Sequence, residues 1–253
     1  MIPTSIVTTQ RRARSPQRHE RSALGRPTEV EFTPWLSLTA SEQTLSLAVK
    51  RGLDYLFATL FLILSTPVFL IISAAIKWTS PGPVFFIQER VGQDGKRFPF
   101  YKFRTMKHNS DDAVHREFSR DFIRGSKKDG GPPPAKVYKL TRDPRVTAIG
   151  QFLRRTSLDE LPQLFNVLRG EMSLVGPRPP VVYELEHYQD WHKQRLTARP
   201  GMTGLWQVSG RSSVPFDEMV LLDLYYIEHR STAMDLRIMA KTLPVMLLGS
   251  GGY

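Results

Sequence analysis

Asp159 and Glu160 are adjacent carboxylates in the stretch SLDELPQLFNVLRGEMSLVGPRPP, residues 157–180. Arg154 and Arg155 precede them, and Arg169 and Arg178 follow. Carboxylates set among guanidinium groups suit phosphate chemistry. Arginine forks match phosphate oxygens bidentately. A carboxylate can attack phosphorus, and two adjacent ones can hold Mg²⁺ together with water and a substrate phosphate. Pro177 and Pro179 flank Arg178 and fix the backbone that presents it. The same pair has a plainer reading. Ser157 to Glu160 matches a capping box. Leu161, Leu164, Phe165 and Leu168 then recur at helical spacing up to Gly170, with Pro162 in the first turn. Capping alone accounts for both carboxylates. The same placement also serves chemistry, because first-turn N–H groups and the helix dipole hold a carboxylate ionised.

Two other stretches carry candidate groups. Lys102 and Arg104 alternate with Phe100, Tyr101 and Phe103 in RFPFYKFRTM, a cationic strand face that holds phosphate or is simply solvated. ARPGMTGLWQVSGR contains Arg199, Pro200, Gly201, Thr203, Gly204 and Gln207 around Trp206. Pro-Gly is a turn signal, and a loop with exposed N–H groups can clasp a nucleotide, although most such loops are only turns. His187 and His192 are spaced poorly for a shared helical face, and no Walker or GxGxxG motif occurs.

The elements that must position these groups start with a membrane segment. Tyr55 to Ile76 is uncharged throughout and would form a helix of roughly 33 Å, enough to cross a bilayer core. Pro67 near its middle removes a backbone donor, and the Ser65 and Thr66 hydroxyls are placed to satisfy freed carbonyls. Lys50 and Arg51 precede the segment, and Lys77, Arg90, Lys96 and Arg97 follow it. The positive-inside rule therefore keeps both ends on the cytoplasmic side, as in a helix that enters, bends at Ser65–Pro67 and leaves by the same face. A tilted, kinked single span is the alternative. Asp54 falls within helical reach of Lys50 and Arg51, and Trp78 falls at headgroup depth. Beyond it, VFFIQERVG, QDGK and RFPFYKFRTM read as strand, tight turn and returning strand. Residues 108–137 read as a polar surface insertion, VTAIGQFLRRT as a helix, and residues 216–249 as two helices broken near Ser231. The second of these either lies in the membrane interface or packs on the body.

The chain has 253 residues, 41% hydrophobic, with a formal net charge of +11 and no cysteine. Disulfides and cysteine-ligated metals are excluded, and the charge favours anionic partners. The first 40 or so residues are arginine-rich, lack the apolar run of a signal peptide and read as a basic, disordered arm.

Taken together, KRGLD (50–54), Ser65 and Pro67, YKFRTM (101–106), RRTSLDELPQLFNVLRGEMSLVGPRP (154–179) and RPGMTGLWQVSGR (199–211) resemble the bacterial sugar transferases, or monotopic phosphoglycosyl transferases, over about residues 46 to 248. The chain resembles a short form of that family with an added basic arm. The expected fold is α+β and mostly helical: a basic arm (1–45), a re-entrant helix-break-helix hairpin (46–78) and a cytoplasmic catalytic domain with a small β-hairpin and interfacial helices (79–253). The resemblance implies transfer of a sugar phosphate from a UDP-sugar, glucose or galactose, to polyprenyl phosphate at the bacterial inner membrane. It implies Asp159 as nucleophile and metal ligand, Glu160 as its partner, Arg154 and Arg178 on phosphate, and Mg²⁺ as cofactor. A homodimer on the membrane surface fits, and no nucleic-acid partner is expected. The rival reading is a membrane-anchored basic protein that holds nucleic acid or anionic lipid without catalysis. A further rival is a glycosyltransferase moving only the sugar, which would release UDP rather than UMP.

Overall fold

The structure, a computed structural model, describes residues 40–107, 113–125, 143–209 and 214–247. The basic arm up to residue 39, the end of the polar insertion with its triple proline, and Gly210–Arg211 of the glycine-rich loop lie outside the described residues.

Helix α1 (Ala40–Thr79) is continuous through Pro67. At 1.5 Å per residue it is about 60 Å long, twice the thickness of a bilayer core. Its stretch Ser46–Thr79 is long and apolar enough to cross a membrane. Two distinct faces explain its composition. Asp54, Ala58, Phe69, Ile72 and Ile76 form a buried stripe against the rest of the chain. Leu56, Leu60, Phe61, Ile63, Leu64, Leu70, Ile71 and Trp78 are exposed, an apolar surface of the kind that faces lipid. The Ser65 and Thr66 hydroxyls both donate to the Leu62 carbonyl, at 3.3 and 2.9 Å. That is one residue before Ile63, whose usual donor Pro67 cannot supply.

The strand–turn–strand reading of residues 84–106 matches what is seen. Strands β1 (Phe85–Val91) and β2 (Arg97–Phe103) pair antiparallel around a 3₁₀ turn, Gln93–Gly95. Asp94 and Gly95 both take positive φ there, which Asp-Gly accommodates. Phe103 packs on Phe69 of α1, with ring centroids 5.0 Å apart.

Helix α2 (Ala113–Arg124) lies inside the stretch read as a polar insertion. Buried Ile123, with Phe122 packed beside it, joins the main core and makes this segment part of the body. Helix α3 (Ala148–Thr156) follows, N-capped by the Thr147 hydroxyl, which accepts from the Gly150 N–H at 3.0 Å. Helix α4 (Gln163–Leu168) ends at Gly170, where φ is 75°. Next come β3 (Ser173–Val175), a short helix α5 (Asp190–Lys193) between two 3₁₀ turns, and β4 (Gly201–Thr203), which pairs parallel with β3. Helix α6 (Leu205–Ser209) leads to α7 (Phe216–His229) and α8 (Thr232–Leu247), broken at Ser231 as the sequence indicated. Buried Asp235 and Ile238 fix α8 on the body, while Leu236 and Leu243 stay exposed.

Asn166 of α4 is the buried polar tie between elements. Its Nδ2 donates to the Pro99 carbonyl at 2.7 Å and to Glu171 at 2.6 Å, and its Oδ1 accepts from the Tyr101 N–H at 3.2 Å. Removing it leaves part-buried backbone groups of β2 and Glu171 without this partner, at about 1–3 kcal/mol each. Asn166→Ala is therefore expected to lower stability by roughly 2–4 kcal/mol, read by denaturant unfolding of the detergent-solubilised chain.

Candidate active site

The two carboxylates are not held as the capping box proposes. Ser157 closes α3 in the left-handed conformation, with φ of 56°, and its side chain caps nothing. Leu158–Glu160 is a 3₁₀ turn, and α4 starts only at Gln163. Asp159 and Glu160 thus lie in a tight link between two helices, and side-chain cations surround them in place of an extended helix terminus.

Lys102 of β2 is one such cation. Its ammonium is 2.8 Å from Glu160 Oε1 and 3.7 Å from Asp159 Oδ2, so one charge bridges both carboxylates. Arg178 approaches Glu160 Oε1 at 3.6 Å. Arg154 of α3 donates from Nε to the Thr105 hydroxyl at 2.9 Å. Burial pushes its guanidinium below the ordinary arginine value, and the negative charges of Asp159 and Asp143 oppose that shift. Asp159 is 7% exposed, with this cationic group around it.

The Pro-Arg-Pro segment is pinned on both sides of Arg178. Prolines lack N–H groups, so their carbonyls serve as the anchors. Pro177 accepts from the Gly201 N–H at 2.8 Å, Pro179 from the Arg90 guanidinium at 2.9 Å, and Pro180 from the Val91 N–H at 3.0 Å. The hairpin therefore supplies Lys102 from one strand and grips the Arg178 segment with the other. Lys102 is itself placed by Asn166, which holds the N–H of the preceding Tyr101.

Other sequence candidates are placed differently. Arg104 commits its fork to the Pro81 carbonyl at 2.7 Å and to the Ser80 carbonyl and hydroxyl at 2.8 and 2.9 Å, fastening the exit of α1 to β2. Gly201 and Gly204 are packing positions: a Cβ on Gly201 would lie 2.0 Å from the Gly176 nitrogen, and one on Gly204 would lie 2.5 Å from the Gly176 oxygen. The Pro200 carbonyl accepts from the Ser173 N–H at 2.8 Å. Thr203 shares a hydroxyl bond of 2.8 Å with Thr242. Gln207 Oε1 is buried. Arg199 lines a separate cavity at the foot of α1. Lys102 was legible only as an alternating cation, and its pairing with Glu160 spans 58 residues of chain.

Helix α2 abuts the turn after the Pro-Arg-Pro segment. His115 Nδ1 is 2.6 Å from the Tyr183 hydroxyl. Burial lowers the imidazole pKa from its ordinary value, Glu184 opposes this, and Arg90, Arg178 and Arg145 add to it. The folded chain thus takes up this proton less readily than the unfolded one, whose histidine titrates near 6.5. The stability that neutral His115 contributes is full above that pH and lost as pH falls below it. The melting temperature of wild type should fall more steeply than that of His115→Gln between about pH 7 and 5.5.

The profile of the family described as "Bacterial sugar transferase" matches residues 45–249. The chain belongs to the bacterial sugar transferase family. This sugar transferase is 44% identical over 205 residues to the undecaprenyl-phosphate galactose phosphotransferase of Salmonella typhimurium, covering 81% of this chain and 42% of that relative. It is 44% identical over 204 residues to the exopolysaccharide production protein ExoY of Rhizobium meliloti, covering 81% and 88%. It is 39% identical over 203 residues to the UDP-glucose:undecaprenyl-phosphate glucose-1-phosphate transferase of Escherichia coli, covering 77% and 39%. The sugar transferase thus spans less than half of some relatives and most of others.

Proposed function

We propose that this sugar transferase moves a hexose-1-phosphate from a UDP-sugar to a polyprenyl phosphate, with Asp159 as a covalent nucleophile. The observation that carries this reading is the pairing of Asp159 and Glu160 with Lys102, Arg178 and Arg154, a carboxylate set inside phosphate-binding cations. Relatives whose names specify galactose or glucose phosphate transfer to undecaprenyl phosphate support it, and they favour galactose or glucose as the sugar.

In the first step an Asp159 carboxylate oxygen bonds to the sugar-bearing phosphorus. The phosphorus–oxygen bond to UMP breaks, and UMP leaves with that electron pair. In the second step a phosphate oxygen of the lipid bonds to the same phosphorus, the aspartyl bond breaks, and a polyprenyl diphosphosugar is released. A covalent route lets a soluble donor and a lipid acceptor use one site in turn. Arg178, Lys102 and Arg154 oppose charge that builds on the phosphoryl oxygens. Glu160 holds Lys102 in place for that role.

Among the described residues no three His, Cys, Asp or Glu side chains gather. The Asp159–Glu160 pair fits Mg²⁺, which commonly takes one or two carboxylates and completes its shell with water and phosphate. Asp159 would hold the ion, which would supply charge neutralisation to the donor's diphosphate.

Packing supports a monotopic attachment, and the basic residues at both ends of α1 favour the cytoplasmic face. The body lies along α1 from Asp54 to Ile76, about 33 Å of helix. A perpendicular crossing of the bilayer would draw the polar body in with it, whereas a helix lying shallowly in the membrane surface keeps it in water.

The released nucleotide tests the reaction. UMP is expected from UDP-sugar plus polyprenyl phosphate, resolved by anion-exchange chromatography. UDP as the product would reassign the chain to simple glycosyl transfer.

A further inference from the structure

A second cationic site lies at the foot of α1. The cavity there is lined by Lys50, Arg51 and Asp54 of α1, by Arg199, and by Tyr226 and Arg230 of α7 and its end. Asp159, Glu160 and Lys102 do not line it. Its internal volume is about 60 Å³, room for a small group such as a phosphate and not for a whole small-molecule ligand.

The charges in this cavity are unbalanced. Lys50 is committed: its ammonium is 2.7 Å from Asp235, 3.8 Å from Asp54 and 3.1 Å from the Val175 carbonyl. Asp54 is committed as well, since its Oδ1 also accepts from the Leu174 N–H at 3.1 Å. Arg51 and Arg199 both line the cavity, and among the described residues neither makes a side-chain hydrogen bond or salt bridge. Burial, and then repulsion from Arg51, push the Arg199 guanidinium below its ordinary value. Asp54 and Tyr55 oppose that shift but do not cancel it, so the two guanidinium groups repel at a cost in free energy that a bound anion would recover. Guanidinium forks favour phosphate.

Position selects the source of that phosphate. Tyr55 follows Arg51 by one helical turn on the same face, and exposed Leu56 and Leu60 begin the lipid-facing surface. A phosphate in the cavity would sit at headgroup depth with acyl chains along that surface. We propose that this cavity is a phosphate site, separate from the acid pair, that seats the headgroup of a membrane phospholipid beside Arg51 and Arg199. The assignment does not depend on the reaction proposed for Asp159.

The test uses the full chain, delipidated in a neutral detergent, titrated with dioctanoyl phosphatidylglycerol, with dioctanoylglycerol and with inorganic phosphate. Arg51 is exposed, so Arg51→Gln should fold, and circular dichroism checks this. Phosphatidylglycerol affinity is expected to fall about tenfold in Arg51→Gln, as for loss of one charge-assisted contact, and to recover in part in Arg51→Lys. Dioctanoylglycerol, which lacks phosphate, is expected to bind at least tenfold more weakly than phosphatidylglycerol. Arg51-dependent binding of inorganic phosphate as tight as that of the lipid would keep the site and assign it to soluble phosphate. Unchanged lipid affinity in folded Arg51→Gln, or equal affinity for dioctanoylglycerol, overturns the proposal. So does loss of the lipid affinity in Asp159→Asn, which would merge the cavity with the acid pair.

Discussion

Asp159→Asn is expected to abolish the proposed hexose-1-phosphate transfer, with turnover falling on the order of 10⁴-fold or more, as for loss of a covalent nucleophile. The amide is nearly isosteric, so the 3₁₀ turn Leu158–Glu160 should persist. Its oxygen carries no full charge and cannot form a stable bond to phosphorus. The substitution also removes a negative charge opposite Lys102, at 3.7 Å, and Arg154 loses a stabilising partner. Donor binding measured without Mg²⁺ should therefore survive or tighten while turnover disappears, a split that a folding defect would not produce. The direct measurement is incubation with UDP-[¹⁴C]sugar without lipid acceptor, followed by denaturing gel and mass spectrometry. Wild type should carry a phosphosugar adduct on the peptide containing Asp159, and Asp159→Asn should carry none. Retention of near-normal turnover by the variant would rule out the covalent route.

What could be read in the sequence was local in origin. The hairpin was visible because alternation and an Asp-Gly turn act over a few residues. The α7–α8 pair and α3 were visible for the same reason, through helical periodicity. The acid pair was found by residue type, but its setting was misread: Ser157 to Glu160 satisfies the capping-box spacing, while the left-handed Ser157 ends α3 instead. A pattern of side chains does not reveal which of two abutting helices a residue closes. Helix α2 was hidden because its polar face dominates the composition, and only Phe118, Phe122 and Ile123 mark its inner face. Lys102, Asn166 and the anchors of Arg178 act across 58 residues or more, beyond the reach of any local pattern. Pro67 pointed to a break, whereas α1 runs through it. One missing N–H is a modest local cost, and the packing of Phe69, Ile72 and Ile76 on Phe103 and Leu153 outweighs it.

Gly201→Ala should be among the most damaging substitutions outside the acid pair, although it adds one methyl group. The new Cβ would lie 2.0 Å from the Gly176 nitrogen, 2.5 Å from the Thr203 oxygen and 2.7 Å from the Gly176 Cα. All three are backbone atoms, so no rotamer change relieves the overlap, and β3 and β4 must part. Parting them breaks the Gly201 N–H bond to the Pro177 carbonyl, 2.8 Å, and the Gly176 N–H bond to the Thr203 carbonyl, 2.9 Å. Overpacking of this kind costs about 3 kcal/mol. The consequence for chemistry follows from chain order: Pro177 immediately precedes Arg178, so loss of its anchor shifts the guanidinium. If Arg178 holds phosphate as proposed, a displacement of about 1 Å lowers turnover by roughly 10²-fold. Gly52→Ala provides the comparison, because no heavy atom lies within 4 Å of its Cβ and alanine favours the helix by up to about 1 kcal/mol. Thermal unfolding and turnover of the two variants separate the cases. If Gly201→Ala melts and turns over like Gly52→Ala, the β3–β4 crossing is not what holds Arg178 in place. If Gly201→Ala alone loses both, Gly201 of the RPG segment (199–201) and Gly176 of the GPRP segment (176–179) are there to let two backbones meet, and Arg178 depends on that contact.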